Sequence, residues 1–153
     1  MRQHSFTVNG KPKTVTVDDD TPLLYVLRDE LGLNSPRYGC GLEQCGACRV
    51  QLDDDLVYAC TMPVREVTGD VITVEGFSRQ GEKLHRLQES FLALNAGQCG
   101  YCLSGILVTA QHLLTHNPAP TRSDVQIALE PHLCRCGAHN RIIDAIMTAA
   151  NNG

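Results

Sequence analysis

The chain has 153 residues, of which 42% are hydrophobic and 20% are charged, and its formal net charge is −4. This composition predicts a folded globular protein, and the lack of any basic block argues against a nucleic-acid partner. The N-terminus has no long apolar region of the signal-peptide kind, and no apolar run approaches the roughly 18 residues of a membrane span. We therefore expect a cytoplasmic protein without a membrane span.

The chain begins with a predicted hairpin followed by a helix. Residues 5–8 and 14–17 alternate apolar and polar side chains, and Asn9-Gly10 between them is a strong hairpin signal. Thr21-Pro22 predicts an N-cap with proline at the first helical position, and Gly32 predicts the end of that helix. The apolar face of this helix consists of Leu24, Leu27 and Leu31.

More strands are predicted after the helix. Residues 49–52 and 56–58 flank the three aspartates 53–55, which predicts a second hairpin, and residues 71–74 predict a last strand. Two strands, a helix and then further strands are typical of a small α+β domain with a helix across a mixed sheet.

The second half of the chain is predicted to be helical. Thr121 and Asp124 form a capping-box pattern that opens a short helix ending near Leu129. The apolar stripes of the other three predicted helices are Leu84, Leu87, Phe91 and Leu94; Leu103, Ile106, Leu107, Ala110, Leu113 and Leu114; and Ile142, Ile143, Ile146, Ala149 and Ala150. Four short helices predict a compact bundle, so we expect two domains, 1–77 and 78–153.

Eight cysteines in so short a chain need an explanation. Disulfides are one interpretation, but they require an oxidising compartment, and no export signal is visible. In a reducing compartment, clustered cysteines are more often metal ligands. A metal centre in each half would also stabilise two domains that are too small to be stabilised by their hydrophobic cores alone.

The first four cysteines have the spacing C-x4-C-x2-C-x11-C. This start is the spacing of plant-type [2Fe–2S] ferredoxins. We expect the glycines of the loop, Gly39, Gly41 and Gly46, to adopt positive φ and let the backbone approach the cluster. A zinc site is the alternative, although zinc sites usually combine two C-x2-C pairs. The predicted ligands are Cys40, Cys45, Cys48 and Cys60.

The last four cysteines form a C-x2-C and a C-x-C pair, each placed before a predicted helix. The positive ends of the two helix dipoles would stabilise thiolates or an anionic cluster there. On spacing alone, structural zinc remains an alternative to iron and sulfide. The predicted ligands are Cys99, Cys102, Cys134 and Cys136.

Four motifs together resemble one family. The segments 38–41, 44–48, 98–102 and 133–137 read Tyr-Gly-Cys-Gly, Gln-Cys-Gly-Ala-Cys, Gln-Cys-Gly-Tyr-Cys and Leu-Cys-Arg-Cys-Gly. In this order they resemble the small iron–sulfur subunit of the xanthine dehydrogenase/aldehyde oxidoreductase family, the molybdenum hydroxylases. The resemblance extends over about residues 3–150.

The resemblance implies a fold and a role. It implies an α+β architecture, with an N-terminal β-grasp plant-type ferredoxin domain followed by a C-terminal four-helix bundle, and one [2Fe–2S] cluster in each domain. A large partner subunit would hold molybdopterin with its molybdenum, contacted by Gln98 and Cys136 of this chain. Electrons would pass through both clusters to an external acceptor, which could be a flavin subunit or a cytochrome. No catalytic residue is expected in this chain itself.

Two departures from the family pattern are informative. Glu43 stands where glycine is common, and it adds a charge beside the first cysteine group. Residues 137–141, Gly-Ala-His-Asn-Arg, are similar to the isoquinoline 1-oxidoreductase and nicotinate dehydrogenase branch, which implies an N-heteroaromatic substrate; an aldehyde is the other expectation. A free-standing two-cluster ferredoxin and a zinc-stapled interaction module remain the alternative functions.

Overall fold

The computed structural model describes residues 1–78 and 82–152; residues 79–81 and 153 of the second predicted domain lie outside this description. One mixed sheet has the strand order β2-β1-β5-β3-β4, in which β1 and β5 are parallel and the other neighbours are antiparallel. The strands are β1 Arg2–Val8, β2 Lys11–Val17, β3 Arg49–Leu52, β4 Asp55–Tyr58 and β5 Asp70–Ile72.

The first hairpin is as predicted, and the turn of the second hairpin is one residue shorter than predicted. Asn9 and Gly10 have φ of +51° and +72°, the left-handed values that a two-residue hairpin turn requires. In the second hairpin Asp55 pairs with Leu52, so the turn contains two aspartates and the predicted three-aspartate turn is wrong. Asp53 supplies the positive φ at this turn, +51°.

The helix that crosses the sheet begins without the predicted cap. Helix α1, Leu23–Tyr25, follows Pro22, and no side chain caps it, so the prediction of Thr21 as N-cap is wrong. The reason is that backbone carbonyls already accept the first helical N–H groups: the carbonyls of Met62 and Ala59 do so at 2.8 Å each. A side-chain cap has no unsatisfied donor left to serve there.

The same helix widens after one turn. Residues Val26–Glu30 are π-helical, and Gly32, at φ +69°, ends the helical segment as predicted. Leu24 and Leu27 are fully buried, and Leu31 packs against the same core while partly exposed. This helix and the sheet enclose the first core, which contains Phe6, Val8, Val15, Val17, Val50, Val64 and Val71.

Within residues 82–152, which the structure describes, the second half consists of four helices, as predicted. The capping box is confirmed: the Thr121 hydroxyl accepts the Asp124 N–H at 3.2 Å, and the Asp124 carboxylate accepts the Thr121 N–H at 2.8 Å. The helices are α2 Arg86–Ala93, α3 Leu103–His116, α4 Arg122–Leu129 and α5 His139–Asn151.

The apolar stripe of α2 is shorter than predicted. Leu84 and Leu94 are 45% and 39% exposed, so they do not belong to the buried face, which Leu87 and Phe91 provide. Helix α2 begins only after His85, whose side chain accepts the Leu87 N–H and serves as the N-cap. Leu84 therefore lies outside the helix, where the 3.6-residue period does not apply.

Two separate cores support the two halves. The helical core includes Ile106, Ile142 and Ile146, and Val74 and Phe77 of the connecting segment pack against it. Helix α3 also packs against β3, which joins the halves. The fold class is therefore α+β with a ferredoxin-like sheet domain and a helical bundle, while the boundary between residues 77 and 78 stays a prediction. Within the described residues, no helix combines the length and apolar character needed to cross a bilayer.

Candidate metal centres

The first four predicted ligands converge in two sulfur pairs. Cys40, Cys45 and Cys48 lie on the loop before β3, and Cys60 follows β4. The thiol of Cys40 interacts with that of Cys45, and the thiol of Cys48 interacts with those of Cys60 and Cys45. All eight cysteines of the chain are free thiols, so the disulfide interpretation is not supported by this geometry.

Backbone N–H groups of this loop point at sulfur. The Leu42 and Gln44 amides donate to the Cys40 sulfur at 3.3 Å each, and the Cys40 amide donates to Cys45 at 3.4 Å. Burial raises the pKa of the Cys40 thiol, but these amide donors outweigh it and lower the pKa to about 7. The loop therefore stabilises a thiolate or the sulfur of an anionic cluster.

The loop glycines have two different roles. Gly41 and Gly46 have φ of +67° and +72°, as predicted. Gly39 does not have positive φ, and that prediction is wrong; a Cβ at Gly39 would lie 2.6 Å from the Cys45 sulfur, so the residue is needed for close approach. Glu43 adopts φ +61° despite its side chain, whose carboxylate accepts the Thr61 hydroxyl at 2.5 Å.

The last four predicted ligands also form two pairs. The thiol of Cys99 contacts that of Cys136, and the thiol of Cys102 contacts that of Cys134. Each pair takes one sulfur from the loop before α3 and one from the loop before α5. Four thiols in two pairs match the requirement of two irons, each with two thiolate ligands.

Cys102 differs from Cys99 and Cys134 in the direction of its pKa shift. This residue is the N-cap of α3, yet burial and then the Cys134 thiol raise its pKa to about 12. At Cys99 the Tyr101 N–H, the largest cause, lowers the pKa, and at Cys134 the Ala138 and Cys136 amides outweigh burial and lower it. Backbone amides next to the starts of α3 and α5 therefore lower the pKa of Cys99 and of Cys134.

The spacing of the sulfurs bears on which metal they suit. Tetrahedral zinc with about 2.3 Å bonds needs its four sulfurs within roughly 4 Å of one another. All eight cysteines lie in the described residues, and there no three of their sulfurs lie within 4.8 Å of one another. Paired sulfurs with a wider gap between the pairs fit a two-iron cluster better than one zinc ion.

The two residues predicted to contact the pterin lie together at the surface. The Gln98 side-chain amide donates to the Cys136 carbonyl at 3.0 Å, and Gln98 is exposed. Cys99, the neighbour of Gln98, is also exposed. The second cysteine group is therefore reachable from outside the chain on the side that carries Gln98.

Direct contacts join the two cysteine groups, and no motif in the sequence indicated them. The Leu133 amide donates to the Cys45 carbonyl at 3.0 Å, and the Ser104 hydroxyl donates to the Ala47 carbonyl at 3.4 Å. A Cβ at Gly105 in α3 would lie 1.9 Å from the Gly46 carbonyl oxygen, so main chain packs on main chain there. Because Leu133 precedes Cys134 in the chain, a single hydrogen bond connects Cys45 to the neighbour of Cys134.

Aromatic and basic side chains add a second contact between the groups. The Tyr101 hydroxyl donates to the Tyr38 carbonyl, and the Arg37 guanidinium lies 5.2 Å from the centre of the Tyr101 ring. Arg37 also acts electrostatically on Cys99, whose pKa it helps to lower. A residue of the first loop therefore stabilises a thiolate of the second group.

His132 is a buried residue whose role the sequence did not indicate. It is 3% exposed, its Nε2 lies 2.8 Å from the Thr109 hydroxyl, and a Cβ at Gly46 would meet its Nδ1 at 2.3 Å. Burial lowers the pKa of His132 to about 4, so the ring is neutral at pH 7. It fills the space between α3 and the first loop.

Comparison with known proteins assigns a family. Residues 6–71 match the model described as 2Fe-2S iron-sulfur cluster binding domain, and residues 73–147 match the [2Fe-2S] binding domain. One of the subunits of nicotinate dehydrogenase from Pseudomonas putida is 42% identical over 147 residues, which is 95% of this chain and 93% of that protein. This chain belongs to the small iron–sulfur subunits of the molybdenum hydroxylases.

Two further relatives support this assignment to the iron–sulfur subunit family. The alpha chain of isoquinoline 1-oxidoreductase from Brevundimonas diminuta is 41% identical over 147 residues, 95% of each protein. The crystal structure of the aldehyde oxidoreductase from Desulfovibrio desulfuricans superposes with a TM-score of 0.94 at 38% identity, over 99% of this chain and 17% of that chain. The iron–sulfur unit therefore spans about a sixth of that larger protein. The resemblance found in the sequence, with its branch, is confirmed.

Proposed function

We propose that this chain is the electron-transfer subunit of a molybdenum hydroxylase. It relays electrons from a molybdopterin centre on a large partner subunit, through two [2Fe–2S] clusters, to an external acceptor. The observation that carries the proposal is the pairing of all eight sulfurs into two adjoining groups of four. When bound, the clusters supply one-electron storage at each group.

The protein's own residues hold, orient and connect the two centres. The ligands in this proposal are Cys40, Cys45, Cys48 and Cys60 for the first cluster and Cys99, Cys102, Cys134 and Cys136 for the second. Burial raises the pKa of the Cys48 thiol to about 12, as it does that of Cys102, so assembly of the clusters releases protons from both. The Leu133–Cys45 hydrogen bond then provides a short bonded connection between the two ligand sets.

The side that carries Gln98 is the proposed entry point for electrons. Gln98 and Cys136 are joined to each other and reach the surface there, which supports a contact with a pterin held by the partner. The aldehyde oxidoreductase relative supports a tight partner, because there the same unit is part of a much longer chain. The acceptor is a flavin subunit or a cytochrome, and we place the protein in the cytoplasm because unpaired cysteines suit a reducing compartment.

The substrate belongs to the partner subunit, and an N-heteroaromatic compound is our proposal. One subunit each of nicotinate dehydrogenase and isoquinoline 1-oxidoreductase, enzymes named for such compounds, matches this chain over nearly its whole length. An aldehyde is the second candidate, because the aldehyde oxidoreductase unit has nearly the same fold. Assaying the assembled enzyme with nicotinate, isoquinoline and a simple aldehyde distinguishes these two classes.

Metal analysis of the purified protein tests the cluster assignment. The protein should contain about four irons and about four sulfides per chain, and dithionite reduction should give two distinct rhombic EPR signals. A large molybdenum-containing chain should co-purify with it. The same iron content without any partner would support a free-standing ferredoxin, and zinc in place of iron at the cysteines would support a zinc-stapled module.

A variant at Gln98 tests the contact with the partner. Gln98→Ala should keep both clusters but slow their reduction by substrate in the assembled enzyme, because it removes the proposed pterin contact. Gln126→Ala is the matched control, since Gln126 is an exposed glutamine on α4, a helix that contains no cysteine. Equal reduction rates in the two variants would contradict the proposed entry point.

A further inference from the structure

Two histidines and one aspartate form a group, here called the Asp54 cluster, that contains no cysteine. It consists of Asp54 in the β3–β4 turn and of His112 and His116 near the end of α3, whereas Cys102 precedes the start of that helix. One ligand atom from each of the three residues lies within 4.8 Å of the other two, which is true of no other set of His, Cys, Asp or Glu in residues 1–78 and 82–152. The cluster spans both halves of the chain.

The two histidines have the spacing of a helical metal chelate. They are four residues apart on α3, and their ring centres are 4.3 Å apart, so both rings lie on one face. Two histidines at this spacing on a helix are a known way of binding zinc. Asp54 adds a carboxylate, the third type of ligand that zinc accepts in proteins.

The hydrogen bonds already orient the ligand atoms. His116 Nδ1 lies 2.9 Å from the His112 carbonyl, which leaves Nε2 directed at the Asp54 carboxylate, 3.1 Å away. A ring N–H bonded to a backbone carbonyl is the arrangement that fixes the tautomer of a metal-binding histidine. His112 is held against the same turn, because its Nε2–H donates to the Asp54 carbonyl at 2.9 Å, which leaves Nδ1 as the nitrogen of His112 that can bind a metal ion.

The cluster is close enough to become a tetrahedral site. Ligand bonds of about 2.0–2.1 Å require the ligand atoms to be roughly 3.3 Å apart, so no pair of ligand atoms has to approach by more than about 1.5 Å. The side chains of Asp54 and His116 are 82% and 45% exposed, so solvent rather than packed protein surrounds much of each side chain. Water would complete the coordination, as in zinc sites with three protein ligands.

We propose that Asp54, His112 and His116 bind a divalent transition-metal ion, with Zn²⁺ as the best fit, at a site separate from the iron centres. The ion replaces the proton that His116 shares with Asp54, so binding releases that proton and changes no oxidation state. Because Asp54 lies in the β3–β4 turn of the first half and both histidines belong to α3 of the second half, the ion cross-links the two halves. It therefore stabilises the arrangement that holds the cysteine groups together.

Equilibrium dialysis of the cluster-loaded full chain against micromolar zinc sulfate tests the site. Elemental analysis should find one zinc per chain in addition to unchanged iron. His116→Gln and Asp54→Asn should each weaken zinc binding by about 100-fold or more. His4→Gln is the matched control, because His4 lies 3.2 Å from Asp19 but has no histidine partner at helical spacing, and it should bind zinc like the wild type.

Crystals of the wild-type protein soaked in zinc give a second measurement that needs no variant. Anomalous scattering at the zinc edge should place one ion between the Asp54 carboxylate and the two imidazoles. The inference is overturned if wild-type protein takes up no stoichiometric zinc, if the variants retain it, or if the ion lies elsewhere. Iron and sulfide contents test the cluster assignment separately. The zinc site and the clusters can therefore be refuted independently of each other.

Discussion

A methyl group at position 105 should separate the two cysteine groups. Gly105 is in the first turns of α3, and an added Cβ would lie 1.9 Å from the Gly46 carbonyl oxygen and 3.0 Å from its carbonyl carbon. Backbone atoms cannot rotate away as the end of a side chain can, so the first loop must move away from α3. That movement breaks the Leu133–Cys45 and Ser104–Ala47 hydrogen bonds.

The size of the effect follows from three contributions. Overpacking costs about 1–3 kcal/mol, and the two lost hydrogen bonds cost about 1 kcal/mol each. Alanine regains about 1 kcal/mol over glycine within a helix. We therefore expect Gly105→Ala to lower the free energy of unfolding by about 3 kcal/mol, which corresponds to a fall in Tm of about 6–12 °C for a chain of this size.

Thermal unfolding at one fixed scan rate, followed by far-UV circular dichroism, measures this difference. Hydrogen exchange should also show faster exchange of the Leu133 amide, because it loses its acceptor. Gly100→Ala is the control: its Cβ meets no atom within 4 Å, and only its φ of +79° makes alanine unfavourable, by about 1–2 kcal/mol. A Gly105→Ala protein with wild-type Tm and unchanged Leu133 exchange would refute the close-packing argument.

Three further predictions follow from single residues. Glu43→Gln should raise the reduction potential of the first cluster by some tens of mV in a redox titration, because it removes a negative charge beside the cluster that opposes reduction, and one charge a few ångströms away in a solvated site contributes about 1 kcal/mol. The His112 carbonyl and the Asp54 carboxylate raise the pKa of His116 above 6.5, so His116→Gln should destabilise metal-free protein below pH 6.5. That difference should disappear as the pH rises through the raised pKa, which denaturant titrations at several pH values would detect. Thr121→Ala should lower the free energy of unfolding by about 1 kcal/mol, measured by denaturant titration, because the cap over the Asp124 amide is lost.

Local signals in the sequence predicted much of the fold. The turn at Asn9-Gly10 and the capping box at Thr121 and Asp124 are both present, because each depends on residues within three positions of one another. The start of α1 differed because distant carbonyls, those of Ala59 and Met62, satisfy its first amides. A periodic pattern in the sequence contains no information about such a partner.

Short motifs in the sequence likewise predicted one part of the candidate site and not the other. The cysteine spacings predicted which residues converge, because the ligand set of a cluster is encoded in short motifs. The contacts between the groups, such as Tyr101 with Arg37, join residues more than fifty positions apart and have no motif. His132 was likewise indistinguishable in the sequence from the other five histidines, which are less buried, because only the packing of α3 against the first loop buries it.

The first loop meets the helical half mainly through its carbonyl oxygens. Those of Tyr38, Cys45 and Ala47 accept hydrogen bonds, and that of Gly46 packs against α3. Main-chain acceptors do not change when side chains diverge, so homologous subunits that share this loop conformation present the same docking surface. The halves of two such subunits should therefore be exchangeable by recombination at the segment between them, which offers a route to chimaeras that combine cluster environments from different enzymes.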